Sequence, residues 1–129
     1  MTGGDARDGH GRPIVVVTGI GIVSPLGQGK EDNWAALSAG QSGIRSISRF
    51  DTIGLPTTIA GTVDFALDTP FTSPELTEHL AELATEEAIV QSGIGSPGSF
   101  PGPLVMAVPP VELEWPQRSN WLKNPAATR

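Results

Sequence analysis

Ile14-Val15-Val16-Val17-Thr18-Gly19-Ile20-Gly21-Ile22-Val23-Ser24-Pro25-Leu26-Gly27 is an apolar run that breaks into a glycine-rich turn with a Ser-Pro step. Its first part, Ile14–Thr18, is β-branched throughout and does not alternate, which predicts a strand buried on both faces of a sheet. Two readings of the turn follow. Gly19-x-Gly21 has the opening spacing of a dinucleotide fingerprint, whose second glycine lets the backbone approach a pyrophosphate at a helix N-terminus. Alternatively, the glycines allow close packing of the strand against a neighbouring segment. The third fingerprint position is Ser24. Pro25 then removes a backbone N–H and disfavours helical geometry at Ser24. No acidic residue closes a second strand about twenty residues on, where a ribose partner belongs. The packing reading is preferred.

The surrounding composition narrows the classes further. A chain of 129 residues fits one domain with a real core. Gly (16) and Pro (12) together make up about a fifth of it, so loop is plentiful. Net charge is −6 with only eight Lys and Arg, so no basic patch is available for phosphates and nucleic-acid binding is set aside. There is no Cys, which excludes disulfides, thiolate metal sites and a cysteine nucleophile within these residues. Residues 1–12 read as a disordered polar tail without a signal region, and no run approaches the length of a membrane span. The default location is the cytoplasm.

Outward from the opening run, a first helix is expected near Lys30-Glu31-Asp32, its acidic residues complementing the helix dipole. Trp34 and Leu37 share one face, and Gly40 stands where a left-handed cap is wanted. Gln41–Ile44 reads as a turn, Phe50-Asp51 as a local anchor and Ile59–Val63 as a short strand. Ser73-Pro74-Glu75 supplies an N-cap hydroxyl, an early proline and an acidic residue for a second helix. Leu76, Leu80, Leu83, Ala84 and Ala88 recur at helical spacing, with Glu78, Glu82 and Glu86 turned outward, and Gly93 closes the helix. A Gly-Ser-Pro connector over Ser92–Gly102 leads to a second buried strand, Leu104–Val108, stopped by Pro109-Pro110. Val111–Arg129 shows no sustained period. The order strand, helix, mixed segment, helix, strand is an α/β pattern.

The packing reading of the glycine turn gains weight from a family resemblance. Val16 to Gly27 resembles the opening of the β-ketoacyl-acyl-carrier-protein synthases, the condensing enzymes of fatty-acid and polyketide assembly. Trp34, Leu37, Gly40, Ser42, Gly43, Ile44 and Phe50-Asp51 continue in register, and Gly61 and Ser92-Gly93 also fit. The match is detailed over about residues 13–65 and extends in outline to about 108. It implies that residues 13–129 are the N-terminal portion of a synthase domain. The implied fold is thiolase-like, with layered helices and a mixed sheet that this portion leaves incomplete. It also implies a homodimer, acyl carrier protein as a partner, no metal and no organic cofactor.

Two departures matter. In the family, the strand equivalent to Leu104–Val108 leads into a glycine-rich loop, whereas here Pro109 to Pro116 follow. The family's nucleophilic cysteine and two histidines fall beyond residue 129. A thiolate holds the acyl group in such an enzyme, and histidines assist decarboxylation. His10 lies in the tail and His79 in the second helix, neither in such a context. Glu75, Glu78, Glu82, Glu86 and Glu87 read as solvated helix carboxylates rather than metal ligands. Glu112 and Glu114 read as part of a half-exposed extended segment, Ser24 lacks a Gly-x-Ser-x-Gly setting, and Trp115 and Trp121 read as packing or interface residues. No catalytic, cofactor-binding or metal-binding residue is therefore assigned. The expected role is an inactive synthase segment; the alternative is a non-enzymatic interaction or regulatory module derived from a synthase.

Overall fold

The computed structural model describes residues 6–66, 72–107 and 115–123. Its elements are β1 (Val23–Ser24), β2 (Gly27–Gln28), α1 (Gly29–Ser38), β3 (Ile44–Ser46), β4 (Ile59–Gly61), α2 (Ser73–Ser92) and α3 (Trp115–Lys123). A single 3-10 turn, Asp64–Ala66, follows β4. The strands make two separate antiparallel ribbons, β1–β2 and β3–β4, so the chain is mixed α/β.

Local chemistry accounts for the helix ends. At the C-terminus of α1, Gly40 adopts a left-handed φ of 66°. The N–H of Gln41 reaches the carbonyl of Ala36 at 2.9 Å and that of Gly40 reaches Leu37 at 3.0 Å, the paired bonds of a Schellman motif. The N-cap of α2 is Thr72, one residue before the expected Ser73. Thr72 wins because a reciprocal box needs a carboxylate three residues on. Its Oγ1 accepts from the Glu75 N–H, while Glu75 Oε2 accepts from the Thr72 N–H at 2.9 Å. That backbone bond is the main reason why the Glu75 carboxyl is held below its ordinary value. At the other end of α2, Gly93 with φ 67° closes the helix as expected.

The strand pairs follow from different reasons. β1 and β2 flank the two-residue turn Pro25-Leu26, with Val23 opposite Gln28 and Ser24 opposite Gly27. β3 and β4 pair Ile44 with Gly61, Arg45 with Ala60 and Ser46 with Ile59. The expected strand over Ile59–Val63 therefore exists but stops at Gly61, and Ile44 belongs to a strand rather than to a turn.

Two expectations are corrected. Ile14–Thr18 forms no strand and is not buried: Ile14, Val15 and Val17 are 52%, 90% and 80% exposed. Its Ile14 N–H reaches the Ala6 carbonyl at 2.9 Å, but among the described residues no strand pairs with it, and without one there is no ladder to define it. Leu104–Ala107 are likewise exposed and outside any strand, while Val108 lies outside the described residues. The covered face of α1 is that of Asn33 and Ala36, the latter being the one buried apolar residue among those described; Trp34 and Leu37 point outward.

Two further segments differ from the sequence reading. α3 occupies part of the region in which no period was discernible. Within the segment read as a tail, residues 7–13 close a turn in which Arg7 pairs with Pro13 and Asp8 accepts from the N–H groups of His10 and Arg12.

On α2, the Leu76–Ala88 stripe is partly covered and Glu78, Glu82 and Glu86 are exposed. That orientation sets the stage for the glycine turn.

Candidate functional site

The glycine turn lies as a strap along α2. Extended backbone advances about 6.7 Å in two residues, and a helix rises about 6 Å in four. Amides two apart on the strap can therefore meet side chains four apart on the helix. The Ile20 N–H donates to Gln91 Oε1 at 2.6 Å, and the Ile22 N–H donates to Glu87 Oε2 at 2.9 Å. Beside these rungs the strap touches the helix backbone. A Cβ on Gly21 would collide with the carbonyl of Ala84, and one on Gly19 with that of Ala88. The glycines are required for close approach to a helix. The amides that a phosphate would need are already engaged by Gln91 and Glu87.

At the end of the strap the chain turns through β1–β2 into α1, and each residue of the Ser-Pro step has a partner. Ser24 Oγ donates to Asn33 Oδ1 and accepts the Leu26 N–H at 3.1 Å. Asn33 Nδ2 donates to the carbonyls of Gly27 at 2.8 Å and Gly29 at 2.7 Å. One buried amide side chain thus ties both sides of the turn to the first turn of α1. Pro25 fits against Gly43 and Gly61, where any side chain would overlap its ring. Its carbonyl accepts from Arg45 Nη2 at 2.9 Å.

Glu87 closes the arrangement. The N-cap of α1, Gln28, makes no side-chain cap bond. Instead, the Lys30 N–H at the second helical position donates to Glu87 Oε1 at 2.9 Å. A carboxylate from α2 therefore serves as the missing cap of α1, with the sign that the helix dipole favours. Lys30 Nζ stands 3.8 Å from the same oxygen. The Lys30 backbone bond first, and the Ile22 bond second, hold the Glu87 carboxyl below its ordinary value. Glu87, Lys30, Gln91, Leu83 and Pro97 also line an open groove of about 370 Å³.

The residues weighed from sequence have different places. Ser24 is held by bonds to Asn33 and Leu26. His10 lies in the Asp8 turn, and His79 is part-covered on α2. Among the described residues no group of His, Asp and Glu is arranged to hold a metal. Pro109–Glu114 lie outside the described residues; Trp115 and Trp121 belong to α3. Asn33 and Gln91 do not stand out in the sequence, and the reading of Glu87 as a solvated helix carboxylate is corrected: its two oxygens accept the Ile22 and Lys30 N–H groups. The signal for these three was the polar pair Glu87 and Gln91 sharing a helix stripe with Ala84 and Ala88, and an Asn one turn into a helix that lacks a capping side chain.

Asn33→Ala would leave the Ser24 hydroxyl and two carbonyls without their partner. The expected cost is about 2 kcal/mol, seen as faster amide exchange across residues 24–30. Exchange as slow as in the parent chain would mean that Asn33 does not hold the turn.

The β-ketoacyl synthase N-terminal domain model matches residues 12–96. The chain is 46% identical over 77 residues to 3-oxoacyl-[acyl-carrier-protein] synthase 2 of Coxiella burnetii, covering 57% of this chain and 19% of that protein. It is 43% identical over 88 residues to the tetracenomycin polyketide synthase ketoacyl synthase beta subunit of Streptomyces glaucescens, covering 62% and 21%. The alpha subunit of the same synthase is 35% identical over 91 residues, covering 66% and 21%. These matches span about a fifth of the relatives' length. With its model matched over most of the described residues, the chain belongs to the β-ketoacyl synthase N-terminal domain family.

Proposed function

We propose that this chain is the N-terminal segment of a β-ketoacyl-acyl-carrier-protein synthase, and that its residues are scaffold rather than catalyst. The whole enzyme would move an acyl chain from a carrier protein to a cysteine thiolate. It would then condense that chain with malonyl carrier protein, with loss of carbon dioxide. The fold would be thiolase-like, the assembly a homodimer and the location cytoplasmic. No helix among the described residues is long and apolar enough to cross a membrane.

One observation carries the scaffold assignment. Ser24 Oγ and the Ile20 and Ile22 amides, three polar groups of the motif that a ligand could use, are engaged in holding the turn and the strap. The sequence has no Cys to carry an acyl group. The purified chain is expected to release no carbon dioxide from malonyl carrier protein and to form no β-ketoacyl product when acyl carrier protein is added. Turnover above a protein-free control would overturn the proposal.

A second reading, an interaction module derived from a synthase, is favoured by Trp34 and Leu37, which are 70% and 61% exposed on one face of α1. The two separate on the reading frame beyond Arg129. A continuing frame with a Cys in a small-residue loop, followed by two His motifs, supports the enzyme segment. A stop codon there, with capture of a carrier protein or synthase by the 129-residue chain, supports the module.

A further inference from the structure

The carboxylate of Glu87 joins three pieces of backbone. Ile22 immediately precedes β1 and Lys30 lies just after β2, so the two amides that it accepts flank the β1–β2 hairpin at its open end. The Gly29 N–H to Ile22 carbonyl bond at 2.9 Å lies between them. One side chain of α2 therefore holds the strap, the hairpin and the start of α1. Both of its oxygens receive N–H donors, an arrangement that an ionised carboxyl supports. A protonated carboxyl has an O–H on one oxygen, which makes that oxygen a poorer acceptor and sets a donor against one of the two backbone N–H groups.

We propose that Glu87 is an acid-operated clasp: ionised, it docks the strap and the start of α1 on α2, and on protonation it releases them together. The surroundings isolate this group as the sensor. Residues 13–29 contain no titratable side chain. From α1 the facing charge is Lys30, whose Nζ is shared with Glu31 Oε1 at 3.5 Å. On α2 the neighbouring carboxylate is Glu86, which is exposed and lines the same groove. Because the carboxyl of Glu87 is held below its ordinary value, the clasp is closed throughout the neutral range. Its contribution is lost only as pH falls through that lowered value.

Hydrogen–deuterium exchange with peptide-level mass spectrometry tests this on the dilute 129-residue chain from pH 7 to pH 2.5, corrected for intrinsic exchange. Protection over residues 19–31 is expected to fall at least tenfold with acidification, while residues 44–61 of the β3–β4 ribbon hold theirs. Glu87→Gln is expected to begin with weakened protection over 19–31 and to show a flat pH response. Glu86→Gln should follow the parent chain. A parent response that is absent, or that 19–31 and 44–61 share, would overturn the clasp. So would a Glu87→Gln chain that keeps the parent response. The parent chain and Glu86→Gln decide the matter even if Glu87→Gln does not fold.

Discussion

Gly21→Val is expected to lift the strap off α2. The added side chain has nowhere to go, because the first atom beyond Cα already falls within the Ala84 carbonyl. Helix backbone cannot swing aside as a flexible side chain can, so the strap must move. Forcing such overpacking costs about 2 kcal/mol, and displacement also loses the Ile22 to Glu87 bond. The result should be roughly thirtyfold faster amide exchange at Ile20 and Ile22, the equivalent of that free energy. The helical circular dichroism signal should persist, since the capping box and Gly93 are local to α2. Gly9→Val is the control, as nothing stands near that position. Equal exchange in Gly21→Val and the parent would show that strap and helix are not in contact.

The chain by itself is expected to self-associate at micromolar concentration and to melt without a sharp transition. Val15, Val17 and Val105 are 90%, 80% and 92% exposed, on extended segments whose backbone has no ladder among the described residues. Unpaired edges and contiguous apolar surface are the usual sources of association. Ala36 is the buried apolar residue among those described, so little core opposes opening. Val15→Lys with Val17→Lys is expected to shift sedimentation toward monomer while leaving the helical signal unchanged. A soluble parent monomer with a single cooperative transition would rule this out.

How much was legible in the sequence depended on the range of the interaction concerned. Gly40 and Gly93 were readable as helix stops because a left-handed cap involves only its own last turn. The N-terminus of α2 was readable to within one residue, and the error arose because Thr72 and Ser73 carry the same chemistry. The shared face of Trp34 and Leu37 was legible, but which face of α1 is covered was not: those two dominate by size, whereas Asn33 and Ala36 are the buried residues. The strand readings at Ile14–Thr18 and Leu104–Val108 registered apolar content correctly and inferred burial from it. Burial requires a partner, and no local pattern supplies one. The glycine pair was recognised as a close-packing device, but its partner is a helix 65 to 71 residues away by the bonds that hold it. Nothing in a nearby window names Glu87 or Gln91.

The seat of Pro25 against Gly43 and Gly61 has a consequence for the β3–β4 ribbon. Two antiparallel strands joined by a long excursion can, in principle, slide past one another by a residue, and each slip turns every side chain to the opposite face. Here a ring from outside the ribbon works as a key in a lock. Only where two side-chain-free positions come together is there room for it. A slip would bring Ala60 or Thr62 beneath the proline in place of Gly61, and the key would no longer turn. The alignment of a three-residue ribbon is thus checked by shape from a distant point in the chain.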